Sequence, residues 1–226
     1  MSNIGFRIFP PNRAPKELVE LFRDVPSPNV SDNMSRINGV CAEIRPMHGS
    51  TQLLGSAFTV KTRPGDNLMV HKALDMLQAG DALVIDAGGD TTNAILGEIV
   101  MHIAIKNGAT GIVVDGAIRD SASFSEAGFP CFARGASHRG PYKDGPGEIN
   151  VPVTVGGAIV NPGDVVVGDA DGVVVVPLDD AEYVAGEAKK VVEKEAVTMR
   201  QIEEGTLDRS WVDETLKQRG CQWIGF

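Results

Sequence analysis

Near the middle of the chain stand two adjacent residues, Arg119 and Asp120, whose types could do chemistry together. A guanidinium presents a planar fork that can grip a carboxylate through two parallel bonds. A carboxylate beside it is a hard oxygen ligand suited to magnesium or manganese. The same pair also serves elsewhere as a plain surface turn closed by a local ion pair, so the dipeptide alone does not define a site. Its surroundings add weight. A helix begins in the neighbouring segment, and a helix start offers unpaired N–H groups and a positive dipole end, a seat for a carboxylate or phosphate. Anion seat, guanidinium and metal carboxylate at one edge together suit a small oxo acid.

The elements that must position these groups lie within 80–120. Ala82–Asp86 is a short run rich in branched apolar residues, bounded by Gly-Asp and Gly-Gly, and predicts a buried strand. Ala94–Asn107 carries Ile95, Ile99 and Ile103, with Leu96, Val100 and Ala104, at helical spacing. It predicts a helix closed by Gly108 as C-cap glycine. Gly111–Asp115 predicts a second strand. Strand, helix and strand in that order make two parallel strands with a right-handed crossover. Ligands collect beyond the carboxyl ends of such strands, which is where the loop Gly116–Asp120 falls.

Along the rest of the chain, Pro15–Asp24 and Val30–Ile37 predict short helices, the second capped by Asn29 or Ser31. Ser31 and Asp32 read first as that helix start and only secondarily as site residues. Gly55–Thr62 is the clearest early strand, Pro64-Gly65-Asp66 a turn and Asn67–Gln78 a helix. His71 lies on that helix and is kept out of the site, because a lone helical histidine is more often structural or solvated. SASFSEAGFP after Asp120 predicts a short helix ended by Gly128, followed by a strand over Phe129–Ala133. The glycine- and proline-rich loop Gly135–Glu148 is long enough to be functional or ordered by a partner. Its His138 and Arg139 either face the substrate or line a contact between subunits. Closely spaced strands follow between Val151 and Pro177, and VVVVP, apolar on both faces, should be fully buried. Asp179–Glu204 predicts a long helix with an apolar stripe, stopped by Gly205. Trp211 and Trp223 in a polar tail suggest packing against the body or a neighbouring subunit.

Composition narrows the classes. The chain has 226 residues, 26 of them glycine, and a formal net charge of −9. An acidic balance without a basic run argues against nucleic acid as the main partner. Cys41, Cys131 and Cys221 lack metal-ligand spacing and are odd in number, which predicts reduced thiols in an intracellular protein. With no apolar run long enough to span a bilayer and no signal peptide, the expected location is the cytoplasm. No internal repeat or linker divides the chain, which reads as one α/β domain.

Several segments match a known family: GDALVID at 80–86, Gly97-Glu98-Ile99-Val100, VDGAIRD at 114–120, Ser31-Asp32, and the stretch from Pro162-Gly163-Asp164 to Asp171-Gly172-Val173. On these the chain resembles the 4-hydroxy-4-methyl-2-oxoglutarate/4-carboxy-4-hydroxy-2-oxoadipate aldolases, whose fold is shared with the regulator of ribonuclease E activity. The resemblance implies a single compact α/β domain, a central mixed sheet in a barrel-like αββα sandwich with flanking helices. It implies a class II aldolase of aromatic-compound catabolism that uses Mg²⁺ or Mn²⁺, takes a small 2-oxo acid and releases pyruvate. Oxaloacetate decarboxylation is the expected side activity. Homotrimers or hexamers are implied, with sites between subunits. Asp120 looks like the direct metal ligand, Arg119 like the pyruvyl-binding residue, and Glu98 like the acid that holds metal-associated water. Gly97 and the amides of Ile99 and Val100 look like the carboxylate seat, and Glu195 like an acid contributed through water by a neighbouring subunit. Where family descriptions expect a further acid, three positions after Arg-Asp, this chain has Ser123. The amides of Ile99 and Val100 can serve a ligand only if the helix starts near Leu96 or Gly97 rather than at Asn93. No lysine sits in an obviously apolar strand, which disfavours the Schiff-base route. The alternatives are a non-catalytic regulator like the ribonuclease E inhibitor, or a related 2-oxo acid lyase or decarboxylase.

Overall fold

The computed structural model describes residues 3–49 and 51–225. In chain order the elements are β1 (Phe6–Ile8), α1 (Lys16–Glu20), α2 (Ser27–Asp32), β2 (Arg45–Pro46), β3 (Leu53–Thr62), α3 (Leu68–Leu74), β4 (Asp81–Asp86), β5 (Ala94–Leu96) and α4 (Glu98–Lys106). They continue as β6 (Gly111–Ile118), α5 (Ser121–Ala127), β7 (Cys131–Ala136), β8 (Gly147–Ile149), β9 (Val153–Val155), β10 (Ala158–Val160), β11 (Val165–Asp169), β12 (Gly172–Val176), α6 (Ala181–Glu204) and α7 (Ser210–Gln218). By its contacts the chain falls into two compact units, 1–188 and 189–226.

The first unit holds a large mixed sheet with flanking helices. Its central path runs β1-β8-β3-β4-β6-β7-β2, and β11 joins β3 and β12. β3, β4, β6 and β7 are parallel neighbours, as the strand–helix–strand reading requires. Side-chain alternation divides the core. Leu83 and Ile85 of β4 and Ile112 and Val114 of β6 join Met69, Met101 and Phe124 from the helices. Val84 and Val113, one residue out of phase, join Phe132, Val155 and Val175 in a second apolar cluster. Val173–Val176 are all buried, as VVVVP predicts. In the second unit, the end of α6 and α7 leave Met199, Ile202 and Trp211 exposed.

Three local predictions need correction. The helix expected over Ala94–Asn107 is a strand followed by a helix: Ala94–Leu96 pairs in parallel with β6, and only Glu98–Lys106 is helical. Period alone could not separate them, because three buried apolar residues fit either element. The second short helix is Ser27–Asp32 rather than Val30–Ile37. Pro26 and Pro28, read as an interruption, stand at its start, where proline costs no helical bond. The expected strand over Phe129–Ala133 begins at Cys131 and runs to Ala136.

Candidate active site

The late start of α4 shapes this edge of the sheet. Gly97 is its N-cap, in extended backbone at φ −156°. The first helical bond runs from Met101 N–H to Gly97 O, 3.0 Å, and Arg119 N–H holds Leu96 O at 2.9 Å. Among the described residues, no protein acceptor faces the N–H of Ile99 or Val100. The condition set by the sequence is met: both amides are in the first turn, where backbone donors have no helical partner. Gly97 is required for space rather than for φ. A Cβ there would stand 2.4 Å from Asp120 Oδ2 and 2.7 Å from Arg119 Cγ.

Asp120 enters the turn after β6 in left-handed backbone, φ 53°. From there its Oδ2 accepts the Glu98 N–H at 3.1 Å, so the carboxylate sits at the positive end of α4. The Arg119 guanidinium lies beside it, Nε to Oδ2 3.5 Å, too long for a firm ion pair. Both side chains are more than two-fifths exposed, at 43% and 42%. The fork of Arg119 is therefore available.

Arg119, Gly97, Ile99 and Val100 line one pocket of ≈ 110 Å³. The sequence reading missed its opposite wall: Asn67, His71 and Lys143. His71, kept out of the site above, belongs to it. Burial and then the Lys143 ammonium push its imidazole below the ordinary value, against an opposing pull from Asp75, which favours the neutral ring. Asn67 stands at the N-cap of α3 but makes no capping bond. Its amide N–H reaches Ile95 O at 2.9 Å, and its buried Oδ1 has no donor among the described residues. Such an orphaned acceptor in a pocket wall suits a ligand hydroxyl or water. In the sequence Asn67 reads as an ordinary helix start, so nothing there marked this role.

A wider, open depression of ≈ 380 Å³ adjoins at Arg119 and Asp120 and is lined also by Ser137 and His138. Arg139 lines neither hollow; its carbonyl accepts Ala94 N–H at 2.8 Å. The Glu98 carboxylate faces outward near His102, 3.7 Å from Nε2, and lines neither hollow either. Glu195 lies in the second unit.

A cation here would find one carboxylate, Asp120. Among the described residues no group of three His, Cys, Asp or Glu side chains could hold a metal. That donor set does not fit a closed zinc site. It fits magnesium, which keeps several waters and needs one or two carboxylates plus substrate oxygens.

A family model described as RraA-like, Aldolase/RraA, matches residues 27–175. The chain belongs to the RraA-like family. A protein of Halalkalibacterium halodurans named "Putative 4-hydroxy-4-methyl-2-oxoglutarate aldolase" is 39% identical over 196 residues, 87% of this chain and 93% of that one. Among solved structures, an uncharacterized protein of Pseudomonas syringae pv. tomato superposes with TM-score 0.79 at 27% identity, covering 88% of this chain and 94% of the other. The RNA-processing inhibitor RraA of Thermus thermophilis superposes with TM-score 0.63 at 30% identity, covering 68% and 93%. The RraA-like segment contains both β4–β6 and the Gly97–Asp120 edge. No helix among the described residues is long and apolar enough to cross a membrane.

Proposed function

We propose that the chain is a class II pyruvate aldolase. It cleaves 4-hydroxy-4-methyl-2-oxoglutarate or 4-carboxy-4-hydroxy-2-oxoadipate to pyruvate and a second oxo acid, and decarboxylates oxaloacetate at the same site. The observation that carries the reading is the first turn of α4. Two N–H groups without acceptors among the described residues share a pocket with an available guanidinium, beside a carboxylate held at the helix start.

In this reading the substrate carboxylate sits on the amides of Ile99 and Val100. Arg119 grips the adjacent carbonyl oxygen, where charge grows as the C3–C4 bond breaks and its electrons form the enolate. Asp120 holds Mg²⁺ or Mn²⁺, which supplies Lewis-acid stabilisation of that enolate when bound. The C4 hydroxyl proton leaves to water, which Glu98 holds once its outward-facing carboxylate turns toward the site. The enolate takes a proton at C3, and pyruvate departs. Exposed Ile99 and Ile103 on α4, and Met199, Ile202 and Trp211 in the second unit, support a homotrimer or hexamer in which Glu195 serves a neighbour's site.

The test is pyruvate release from both hydroxy acids and from oxaloacetate, with Mg²⁺ and after EDTA. Release that stops with EDTA and returns with Mg²⁺ or Mn²⁺ is expected; full activity in metal-free protein overturns the class II assignment. Because Lys143 lines the pocket, borohydride with pyruvate should be run beside it; covalent trapping there would favour a Schiff base. The likeness to the Thermus inhibitor supports a second reading, a ribonuclease E regulator. Absence of pyruvate from every substrate would favour it.

A further inference from the structure

Asp66 is fully buried and does not line the pocket, yet it bonds to both segments that build the wall of Asn67, His71 and Lys143. Its Oδ1 accepts Leu68 N–H at 2.9 Å, in the first turn of α3, the helix that carries His71 with Asn67 at its N-cap. Its Oδ2 accepts Asp144 N–H at 2.8 Å, Gly145 N–H at 3.0 Å and Arg63 Nη2 at 3.0 Å. Asp144 and Gly145 immediately follow Lys143. Further bonds lace the same segments: Tyr142 N–H to Gly65 O, 2.8 Å, and Asn67 N–H to Tyr142 O, 3.0 Å.

We infer that Asp66 is a positioning residue of the pocket, the carboxylate that fixes Lys143 beside Asn67 and His71. The inference rests on the reading of this pocket as the substrate seat. Only an acceptor on both oxygens answers these donors. An asparagine has the same shape, but whichever way its amide turns, an NH₂ meets a backbone N–H. Asp66→Asn thus removes the clamp without opening a cavity. Turned toward Asp144 and Gly145, that NH₂ frees the Lys143 segment; turned toward Leu68, it frees the start of α3; either way the bridge that sets Lys143 against His71 is broken.

The test reads Lys143 through its neighbour. In the wild type the His71 imidazole is held below its ordinary value in part by the Lys143 charge. NMR titration of His71 in wild type, Asp66→Asn, Lys143→Ala and the double variant needs no substrate. Asp66→Asn should raise the His71 pKa by as much as Lys143→Ala does, and the double variant should raise it no further. With turnover established, kcat/KM should fall between about tenfold and about a hundredfold in Asp66→Asn, the scale of a 1 Å misplacement. Lys143→Ala should then cost little more in that background. A His71 titration unchanged by Asp66→Asn, or effects of the two substitutions that simply add, overturns the role. If Asp66→Asn does not fold, Asp66→Glu replaces it: a partial rise is expected, and none is a refutation. Absence of pyruvate from every substrate would fail the aldolase reading and leave the His71 result to decide Asp66.

Discussion

The two ends of the central parallel strands carry similar residues and handle them differently. At the amino ends of β4 and β6 lies a hollow of ≈ 280 Å³, larger than the pocket at α4, with Arg13, Lys16 and Arg23 in its walls. Arg13 clamps buried Asp81 through two bonds, at 2.8 and 2.9 Å, and Asp81 also accepts Gln78 N–H. Arg23 pairs with Glu20 through two bonds. At the other end, among the described residues, Arg119 has only a long contact, two amides face no acceptor, and Asn67 Oδ1 is orphaned. Size therefore does not mark the α4 pocket. Hydrogen-bonding capacity left open does, because burying such groups without a partner costs free energy that a ligand can recover.

If that contrast is right, substitutions at the α4 edge should damage turnover and substitutions at the far edge should damage stability. The largest effect on turnover is expected from Asp120→Ala, which should nearly abolish metal affinity by calorimetry and activity with it. Alanine also fits the left-handed backbone poorly, so Asp120→Asn, which tolerates φ 53° and keeps an oxygen, separates the two causes and should be intermediate. Gly97→Ala drives a methyl against Asp120 and Arg119; a fall in kcat/KM of about a hundredfold is expected, with a cooperative melt retained. Arg119→Lys keeps charge and loses the fork. It should leave metal binding intact and cost about 1.5–3 kcal/mol, about one to two powers of ten in kcat/KM. Loss of metal in Arg119→Lys but not in Asp120→Ala would reverse the roles assigned to the pair. Arg13→Ala should leave kcat/KM of the folded protein unchanged while destabilising it by about 3–5 kcal/mol, because Asp81 is left buried and unpaired. A drop in turnover there would break the comparison.

The smallest effect concerns acid. Burial pushes the Asp66 carboxyl up, but the three backbone N–H groups and Arg63 push it down and prevail, so its pKa lies below the ordinary value. A lowered folded pKa means stability that is complete above the unfolded value and is lost as pH falls through the folded one. Urea melts across pH 5 to 2, a range chosen around the usual carboxylate value of about 3.9, should show a shallower acid loss in Asp66→Asn than in wild type.

What the sequence disclosed follows from the range of the interactions. β4 and β6 are short branched runs between glycine turns, and their parallel pairing follows from chain order. Arg119 and Asp120 lie on one crossover unit, so local reasoning reached them; Gly97, Ile99 and Val100 came from the family resemblance, because local period began the helix at Ala94. The other wall did not declare itself: Asn67, His71 and Lys143 meet there only because β3, α3 and the loop before β8 converge in space. Ala94–Leu96 was misread because its partner, Ala117–Ile118, lies beyond the helix, and strand pairing leaves no mark in local period.

The loop from Arg139 to Pro146 is polar, rich in glycine and carries two sites for trypsin, Arg139 and Lys143. Yet the carbonyls of Arg139, Gly140 and Tyr142 and the amides of Tyr142, Asp144 and Gly145 are all engaged by the body of the unit. A protease must draw its substrate out as extended chain, and this segment has no slack to give. Digestion here should therefore wait on opening of the sheet itself, so that resistance to trypsin reports the integrity of the fold rather than the mobility of a loop.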